Sequence, residues 1–316
     1  MDIIERIRNG EEISVDELIN LDMYIIQELF DDDENYTIFK KMFDYCITHT
    51  ETDDSKILHL LGGMYEDGKG VEQNWEEAMK YYKMAFEKGN VYTMNYLGYM
   101  YQNGNYVEQN DGKAIKYYKM AVKKGDSVAM YNLGSIYEKG NSNIRNVERA
   151  MKYYKMAIEK GDVDAMYNLG CMYMYCNEIE RNPKEAIKYY KMAIDKCNEH
   201  AMNNLAFMYH HGEGVEQNID KAIIYYKMAI EKDCKQAKYN LLDLINIINK
   251  LSTTEKIKYY KILNQRGKIN KYAKKIIIKH EIDDIIQLYD IIEELRHELY
   301  FANIYFKECP FGALYA

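Results

Sequence analysis

Basic residues are outnumbered by acidic residues in this sequence. Its 316 residues include 42 Lys and Arg against 50 Asp and Glu, which gives a net charge of −8. A protein that neutralises nucleic-acid phosphates needs a surplus of cations. Nucleic acid is therefore not predicted as a partner.

Long apolar runs and a secretory leader pattern are also missing. A transmembrane helix needs about 18 consecutive apolar residues, and the densest apolar stretch, at 241–251, is interrupted by Asp243, Asn246 and Asn249. The first residues do not show a basic segment followed by an apolar one, as a secretory signal would. We therefore expect no membrane insertion and a cytoplasmic location.

Cysteines are few and irregularly placed. There is no Cys-x-x-Cys pair and no zinc-finger spacing among the six, which are Cys46, Cys171, Cys176, Cys197, Cys234 and Cys309. This usage is typical of reduced thiols that serve as small apolar side chains.

What the sequence has in abundance is an internal repeat. The block Lys-Tyr-Tyr-Lys-Met-Ala begins at Lys80, Lys116, Lys152 and Lys188 and returns as Ile-Tyr-Tyr-Lys-Met-Ala at Ile224, each time after 36 residues. A fixed period of this length indicates an array of supersecondary units. We predict five repeats at 55–90, 91–126, 127–162, 163–198 and 199–234, followed by a degenerate sixth at 235–264. Residues 1–54 are predicted to form an N-terminal helical cap, and residues 265–316 a C-terminal helical cap and tail.

Each repeat is predicted to contain two helices, because its apolar residues recur with the 3.6-residue period. A column of asparagines precedes the second helices as N-caps: Asn74, Asn110, Asn146, Asn182 and Asn218. Glycines at 89, 125 and 161 are expected to end these helices. Further glycines at 62, 98, 134 and 170 lie inside the first helices, where they indicate a close approach by a neighbouring helix.

This pattern resembles the Sel-1-like repeat, a relative of the tetratricopeptide repeat. The fifth repeat matches the motif at Ala201, Leu205, Tyr209, Gly212, Gly214, Val215, Asn218, Ala222, Tyr226 and Ala229. The resemblance implies an all-α fold, a right-handed α-solenoid of helix-turn-helix repeats, that serves as an adaptor or scaffold for protein complexes. Tyr106, Ser142, Cys176 and Cys197 depart from loop glycines of the motif, which leaves the loop geometry open. With 33 Tyr, 2 Pro and 1 Trp, the composition is typical of an A/T-rich genome, and the chain resembles repeat arrays of giant viruses of amoebae.

One face of the first helices varies between repeats, and the opposite face does not. The Met and Leu columns recur unchanged from Met94 and Leu97, so they are predicted to pack in the core. The variable face is predicted to point outward, and by resemblance it lines the concave groove of the solenoid. We predict that it binds the partner through Tyr92, Asn95, Tyr96, Tyr99, Tyr131, Asn132, Ser135, Asp164, Tyr167, Asn168, Cys171, His200, Asn203, Asn204 and Phe207. Positions 102, 138, 174 and 210 continue the same face.

Two columns allow more than one interpretation. Asn132, Asn168, Asn204 and Asn240 either bind a peptide backbone or brace neighbouring repeats. A lysine column at 83, 119, 155, 191 and 227 is either a solvated face of the second helices or a site for an acidic partner. The paired tyrosines of the second helices are predicted to be core residues.

The chemistry of the partner follows from what the variable face contains. It has aromatic side chains but no Lys or Arg at its positions in repeats two to five, so a buried carboxylate would meet no cation there. We predict a protein or peptide segment with apolar anchors and few acidic groups.

No catalytic residue, metal site or cofactor is predicted. The sequence contains neither Gly-x-Ser-x-Gly nor His-Glu-x-x-His, and Gly68-Lys69-Gly70 lacks the rest of a phosphate-binding loop. His210-His211 together with Cys171 or Cys176 suggests a metal site, but the two cysteines do not share a helix face and His210 belongs to the next repeat, so no site is predicted. A non-catalytic scaffold is therefore the predicted function. The alternatives are a structural component without a discrete partner, and a hydrolase-type enzyme.

Overall fold

The structure, a computed structural model, describes residues Glu17, 36–50, 54–248 and 250. Within these residues the chain forms twelve α-helices and no strand. They are α1 (Tyr36–Thr48), α2 (Ser55–Asp67), α3 (Trp75–Glu87), α4 (Val91–Asn103), α5 (Asp111–Lys123), α6 (Ser127–Lys139), α7 (Val147–Glu159), α8 (Val163–Tyr175), α9 (Pro183–Asp195), α10 (Glu199–His211), α11 (Ile219–Glu231) and α12 (Lys235–Ile248). The predicted all-α solenoid class of helix-turn-helix repeats is confirmed. The predicted C-terminal cap at 265–316, the second half of the sixth repeat and most of the N-terminal cap lie outside the described residues.

The chain divides into two compact units. Of the described residues, those up to 169 together with 177–179 form the first unit, and residues 170–176 together with those from 180 onward form the second. Among the described residues, no helix is both long and apolar enough to cross a membrane.

The second helices begin where the asparagine column predicts. The Asn74 side-chain oxygen accepts from the backbone N–H of Glu77 at 3.1 Å, and the other four asparagines of that column cap their helices in the same way. Pro183 follows its cap at the first helical position, where a missing N–H costs nothing. The predicted caps are therefore confirmed.

Residues in the left-handed backbone conformation end the second helices, although not all of them are glycines. Gly89, Gly125 and Gly161 have φ between 78° and 90°, while Cys197 and Asp233 adopt φ of 65° and 63° at the equivalent positions. Cys197, which stands where the earlier repeats have glycine, therefore keeps the left-handed turn, at some conformational cost.

The core of each of the first four repeats is built on a tyrosine that lies over a glycine. Tyr118 of α5 is fully buried, and its ring occupies the space that a Cβ on Gly98 of α4 would fill. The same pairing joins Tyr82 to Gly62, Tyr154 to Gly134 and Tyr190 to Gly170. The predicted close approach at these glycines is confirmed, and it is made by an aromatic ring of the second helix. The tyrosine preceding each of these also packs inside the repeat, as in the stacked pair Tyr101–Tyr117 with ring centroids 5.6 Å apart.

The helix α1 lies at the start of the first unit's core. Its residues Phe39, Met42, Phe43 and Cys46 are buried in one cluster with apolar residues of α2 and α3. In the second unit, α12 contributes Leu241, Leu244, Ile245 and Ile248 to a cluster with α10 and α11. Both helices thus cover apolar surface that a neighbouring repeat would otherwise leave open.

Candidate binding face and a histidine cluster

The first helices separate a buried face from a variable one. Met94 and Leu97 of α4 are buried, as are the Met and Leu residues of the same columns in α6, α8 and α10. On the variable face Tyr99 is 46% exposed, and Asp164 and His200 are exposed too. The remaining predicted residues are half-buried, apart from Asn203: Tyr92, Asn95, Tyr96, Tyr131, Asn132, Ser135, Tyr167, Asn168, Cys171, Asn204 and Phe207.

Three residues of this face are not outward-facing. Asn203 is only 7% exposed, and Met174 and His210 are buried as well. The side-chain oxygen of Asn203 accepts a hydrogen bond from Asn240 Nδ2 at 2.9 Å, because α12 packs beside α10. The expectation that these residues point outward is therefore wrong.

In the first unit, tyrosine hydroxyls converge on a carboxylate. Tyr82 donates to one oxygen of Glu66 at 2.6 Å, and Tyr96 donates to the other. Burial raises the pKa of Glu66, and the two hydroxyl hydrogen bonds oppose that rise because they favour the charged form. Tyr118 and Tyr154 make the equivalent bonds to Gln102 and Glu138 at 2.7 and 2.6 Å.

An aromatic cluster surrounds His59 on α2. Its ring centroid lies 5.4 Å from that of Tyr82, 6.5 Å from Tyr92 and 6.2 Å from Tyr96. A ring nitrogen, Nδ1, lies 2.9 Å from the Thr93 hydroxyl. Burial lowers the pKa of His59 to about 4, so the imidazole is neutral at pH 7. The prediction from sequence did not include His59 and Glu66, because the variable face was defined only from the second repeat onward.

The asparagine column connects successive repeats. Asn132 Nδ2 donates to Asn95 Oδ1 at 3.0 Å. Asn168 Nδ2 lies 3.3 Å from the Tyr131 hydroxyl and 3.4 Å from that of Tyr154. These contacts favour bracing over peptide binding as the role of the column, because the amide donors already have partners in the preceding repeat.

The second unit shows the same bracing with different chemistry. Asn204 Nδ2 lies 3.5 Å from Cys171 Sγ and 3.4 Å from the Tyr190 hydroxyl. Cys171 thus occupies the place of an oxygen acceptor, and thiols accept hydrogen bonds weakly. Phe207 packs against His211 with ring centroids 4.0 Å apart.

A cluster of potential metal ligands lies in this second unit. His210 and His211 of α10 and Asp243 of α12 place one ligand atom each within 4.8 Å of one another. Burial and the neighbouring His211 lower the pKa of His210 to about 4. The interpretation of the sequence considered the two histidines only with cysteines of the previous repeat and did not include Asp243. Position 243 is one 36-residue period after Phe207, so extending the variable face into the sixth repeat would have found it.

The lysine column is mostly solvated. Lys83, Lys119, Lys155 and Lys191 are exposed, whereas Lys227 is 6% exposed, and burial lowers its pKa. Four of the five positions are therefore exposed to solvent, as both interpretations of the column require.

Comparison with known proteins identifies the repeats. A Sel1 repeat family model matches residues 58–90, 91–126, 127–162, 163–196 and 199–234, which is more than half of the chain. Curated proteins include no significant match.

Two solved structures share the fold. A Sel1 repeat protein from Oxalobacter formigenes is 24% identical with a TM-score of 0.61, and the alignment covers 75% of this chain and 98% of that one. A protective antigen of uropathogenic Escherichia coli strains, described as displaying an SLR fold, is 24% identical with a TM-score of 0.59. That alignment covers 73% of this chain but spans only 50% of the antigen. Family match and shared fold agree: the chain belongs to the Sel1 repeat family.

Proposed function

We propose that this chain is a non-catalytic scaffold that binds a protein segment on the variable face of its first helices. Sel1 repeat proteins generally mediate protein–protein interactions, and their fold is typically a non-enzymatic scaffold. The observation that carries the proposal is the contrast on these helices. Their Met and Leu columns are uniformly buried, while the other face changes from repeat to repeat and exposes aromatic rings such as Tyr99.

The first unit offers the stronger part of this face. Tyr92, Tyr96 and Tyr99 all lie on α4, and the rings of Tyr96 and Tyr99 stack with centroids 6.3 Å apart. Rings fixed by stacking lose little conformational entropy on binding, and tyrosine is common among the residues that dominate interface energies. We expect apolar or aromatic side chains of the partner to pack on these rings.

The charge of the face indicates which segments it excludes. Its predicted positions in repeats two to five carry no Lys or Arg, whereas Glu138 and the exposed Asp164 in the same repeats are acidic. An acidic segment would lose hydration there without gaining a cationic partner. The proposed ligand is therefore a segment with apolar anchors and few acidic groups.

The test begins with capture of partners from cytosol by the immobilised full chain. The affinity of a captured partner is then measured for the triple variant Tyr99→Ala, Tyr131→Ala and Tyr167→Ala. Loss of these three aromatic rings should weaken binding at least about tenfold, with unchanged helicity by circular dichroism. Tyr106→Ala is the matched control, because Tyr106 is 59% exposed but lies in a loop outside the face.

Other outcomes separate this proposal from its alternatives. Equal binding by the triple variant would move the site to another surface, and a steep dependence on salt would indicate the lysine column instead. Absence of any captured partner, together with self-assembly in sedimentation experiments, would favour a purely structural component. Turnover in a hydrolase screen would contradict a non-catalytic role.

The cellular setting forms part of the same proposal. Cys46 and Cys234 are free and buried, a usage that suits a reducing compartment such as the cytoplasm. A viral origin, in a host cytoplasm, is supported only by the composition.

A further inference from the structure

The end of α10 carries two adjacent histidines, and a carboxylate of α12 lies beside them. The ligand atoms of His210, His211 and Asp243 lie within 4.8 Å of one another. His211 and Asp243 are exposed, whereas His210 is buried. The cluster is thus open to solvent on one side and fixed to the core on the other.

His210 has an unsatisfied ring nitrogen. Its Nε2 is buried and has no hydrogen-bond partner within the part of the chain that the structure describes. Its Nδ1 lies 3.4 Å from the hydroxyl of Tyr226. Buried polar atoms are normally paired, so this nitrogen calls for an explanation. A hydrogen-bonded His–Asp pair would provide one, but Nε2 does not form such a bond with Asp243.

The position of His210 within the repeat makes the histidine distinctive. Glu66, Gln102 and Glu138 occupy the same position in the first three repeats and accept from the tyrosine hydroxyl through oxygen. None of these three side chains has a buried polar atom without a hydrogen-bond partner at its own position. An imidazole has two nitrogens, and only one of them faces the hydroxyl.

Second contacts orient both rings. His211 Nδ1 lies 3.1 Å from the carbonyl oxygen of Phe207, which suits an Nδ1–H donor and leaves the lone pair on Nε2. When Nδ1–H of His210 donates to the Tyr226 oxygen, its Nε2 also presents a lone pair. Metal-binding histidines are usually held in this way by a hydrogen bond from the other ring nitrogen.

We propose that His210, His211 and Asp243 bind one divalent transition-metal ion such as Zn²⁺. Two imidazole nitrogens favour Zn²⁺, Ni²⁺ or Cu²⁺ over Ca²⁺ and Mg²⁺, which prefer oxygen ligands. Bonds of about 2.0–2.1 Å place tetrahedral ligand atoms about 3.4 Å apart. Binding requires the exposed His211 and Asp243 side chains to rotate and close the remaining distance, and a fourth position remains for water or a partner's side chain. The ion would tie α10 to α12.

The test uses the full chain after dialysis against a chelator. Titration with Zn²⁺ in a calorimeter should show one saturable site per chain. Asp243→Asn and His211→Ala replace exposed side chains, so both variants should fold as the wild type does, and each should weaken Zn²⁺ binding at least about tenfold. His200→Ala is the matched control, because His200 is an exposed histidine on the same helix, and its affinity should stay within about twofold of wild type.

A second readout identifies the ligands. Co²⁺ bound by the trio should give visible d–d absorption bands that are lost in Asp243→Asn and His211→Ala but kept in His200→Ala. The proposal is overturned if the wild type shows no saturable Zn²⁺ site. It is equally overturned if the Asp243 and His211 variants bind Zn²⁺ as tightly as the wild type, since the ion would then lie elsewhere.

Discussion

The ring of Tyr118 lies so close to Gly98 that a Cβ on this glycine would stand 2.6 Å from two ring carbons. Tyr118 cannot retreat freely, because it is fully buried and its hydroxyl donates to Gln102 at 2.7 Å. A glycine in the middle of a helix normally costs about 1 kcal/mol relative to alanine. At this position the tyrosine reverses that preference.

We therefore expect Gly98→Ala to destabilise the protein by about 1–3 kcal/mol, the usual cost of overpacking a core. Urea denaturation followed by circular dichroism measures the change. Gly112→Ala is a suitable control, because a Cβ there would approach only the Asn110 side-chain oxygen, at 3.3 Å. A gain in stability for Gly98→Ala would show that the ring moves aside readily.

The N-cap column gives a second prediction. Asn182 Oδ1 accepts from the Glu185 backbone N–H at 3.2 Å, and Asn182→Ala leaves that donor of α9 without its cap. We expect a loss of about 1 kcal/mol in the free energy of unfolding. Asn182→Ser, which keeps an acceptor oxygen, should stay close to wild type. Equal losses in both variants would assign the effect to something other than the cap.

The raised pKa of Glu66 predicts that the stability of the protein depends on pH. The pKa of this group is raised above the ordinary value of 4.5, first by burial, so the folded protein keeps the proton over a range in which the unfolded chain has lost it. The contribution of this group is therefore complete below pH 4.5 and declines as the pH rises through the folded pKa. Glu66→Gln removes the titration, and repeat two already carries Gln102 at this position.

We expect the stability of Glu66→Gln relative to wild type to increase from pH 4 to pH 7, as measured by urea denaturation at each pH. Gln102→Glu is the reciprocal variant, because it places a carboxyl group under the Tyr118 hydroxyl, and its stability relative to wild type should fall over the same range. A difference between Glu66→Gln and wild type that does not change with pH would contradict the assigned cause.

The repeat period predicts the helices and their caps but not every contact on their faces. Asn74 and its equivalents are recognisable because a cap is a local feature, set by residues three positions apart. The burial of Asn203 depends on α12, which packs beside it and whose sequence has diverged from the repeat. Met174 and His210 are buried although Gln102 and Glu138 of the same column are half-buried, so the period alone does not predict which members of that column point outward. The ring over Gly98 lies between these cases: the glycine indicates a close approach, but the period alone does not say that a side chain makes it.

The last prediction concerns the hydrogen bond from Asn132 Nδ2 to Asn95 Oδ1, which measures 3.0 Å and joins α6 to α4. Both residues lie on the variable face, so their replacement could affect partner binding, stability or both. A double-mutant cycle with Asn95→Ala and Asn132→Ala separates the two roles. If the column braces the repeats, each single variant should lose about 0.5–1.5 kcal/mol in the absence of any partner, and the double variant should lose less than the sum of the two. Strictly additive losses would show that the two amides do not stabilise each other. Wild-type stability in all three variants, combined with weaker partner binding, would instead assign the column to the ligand.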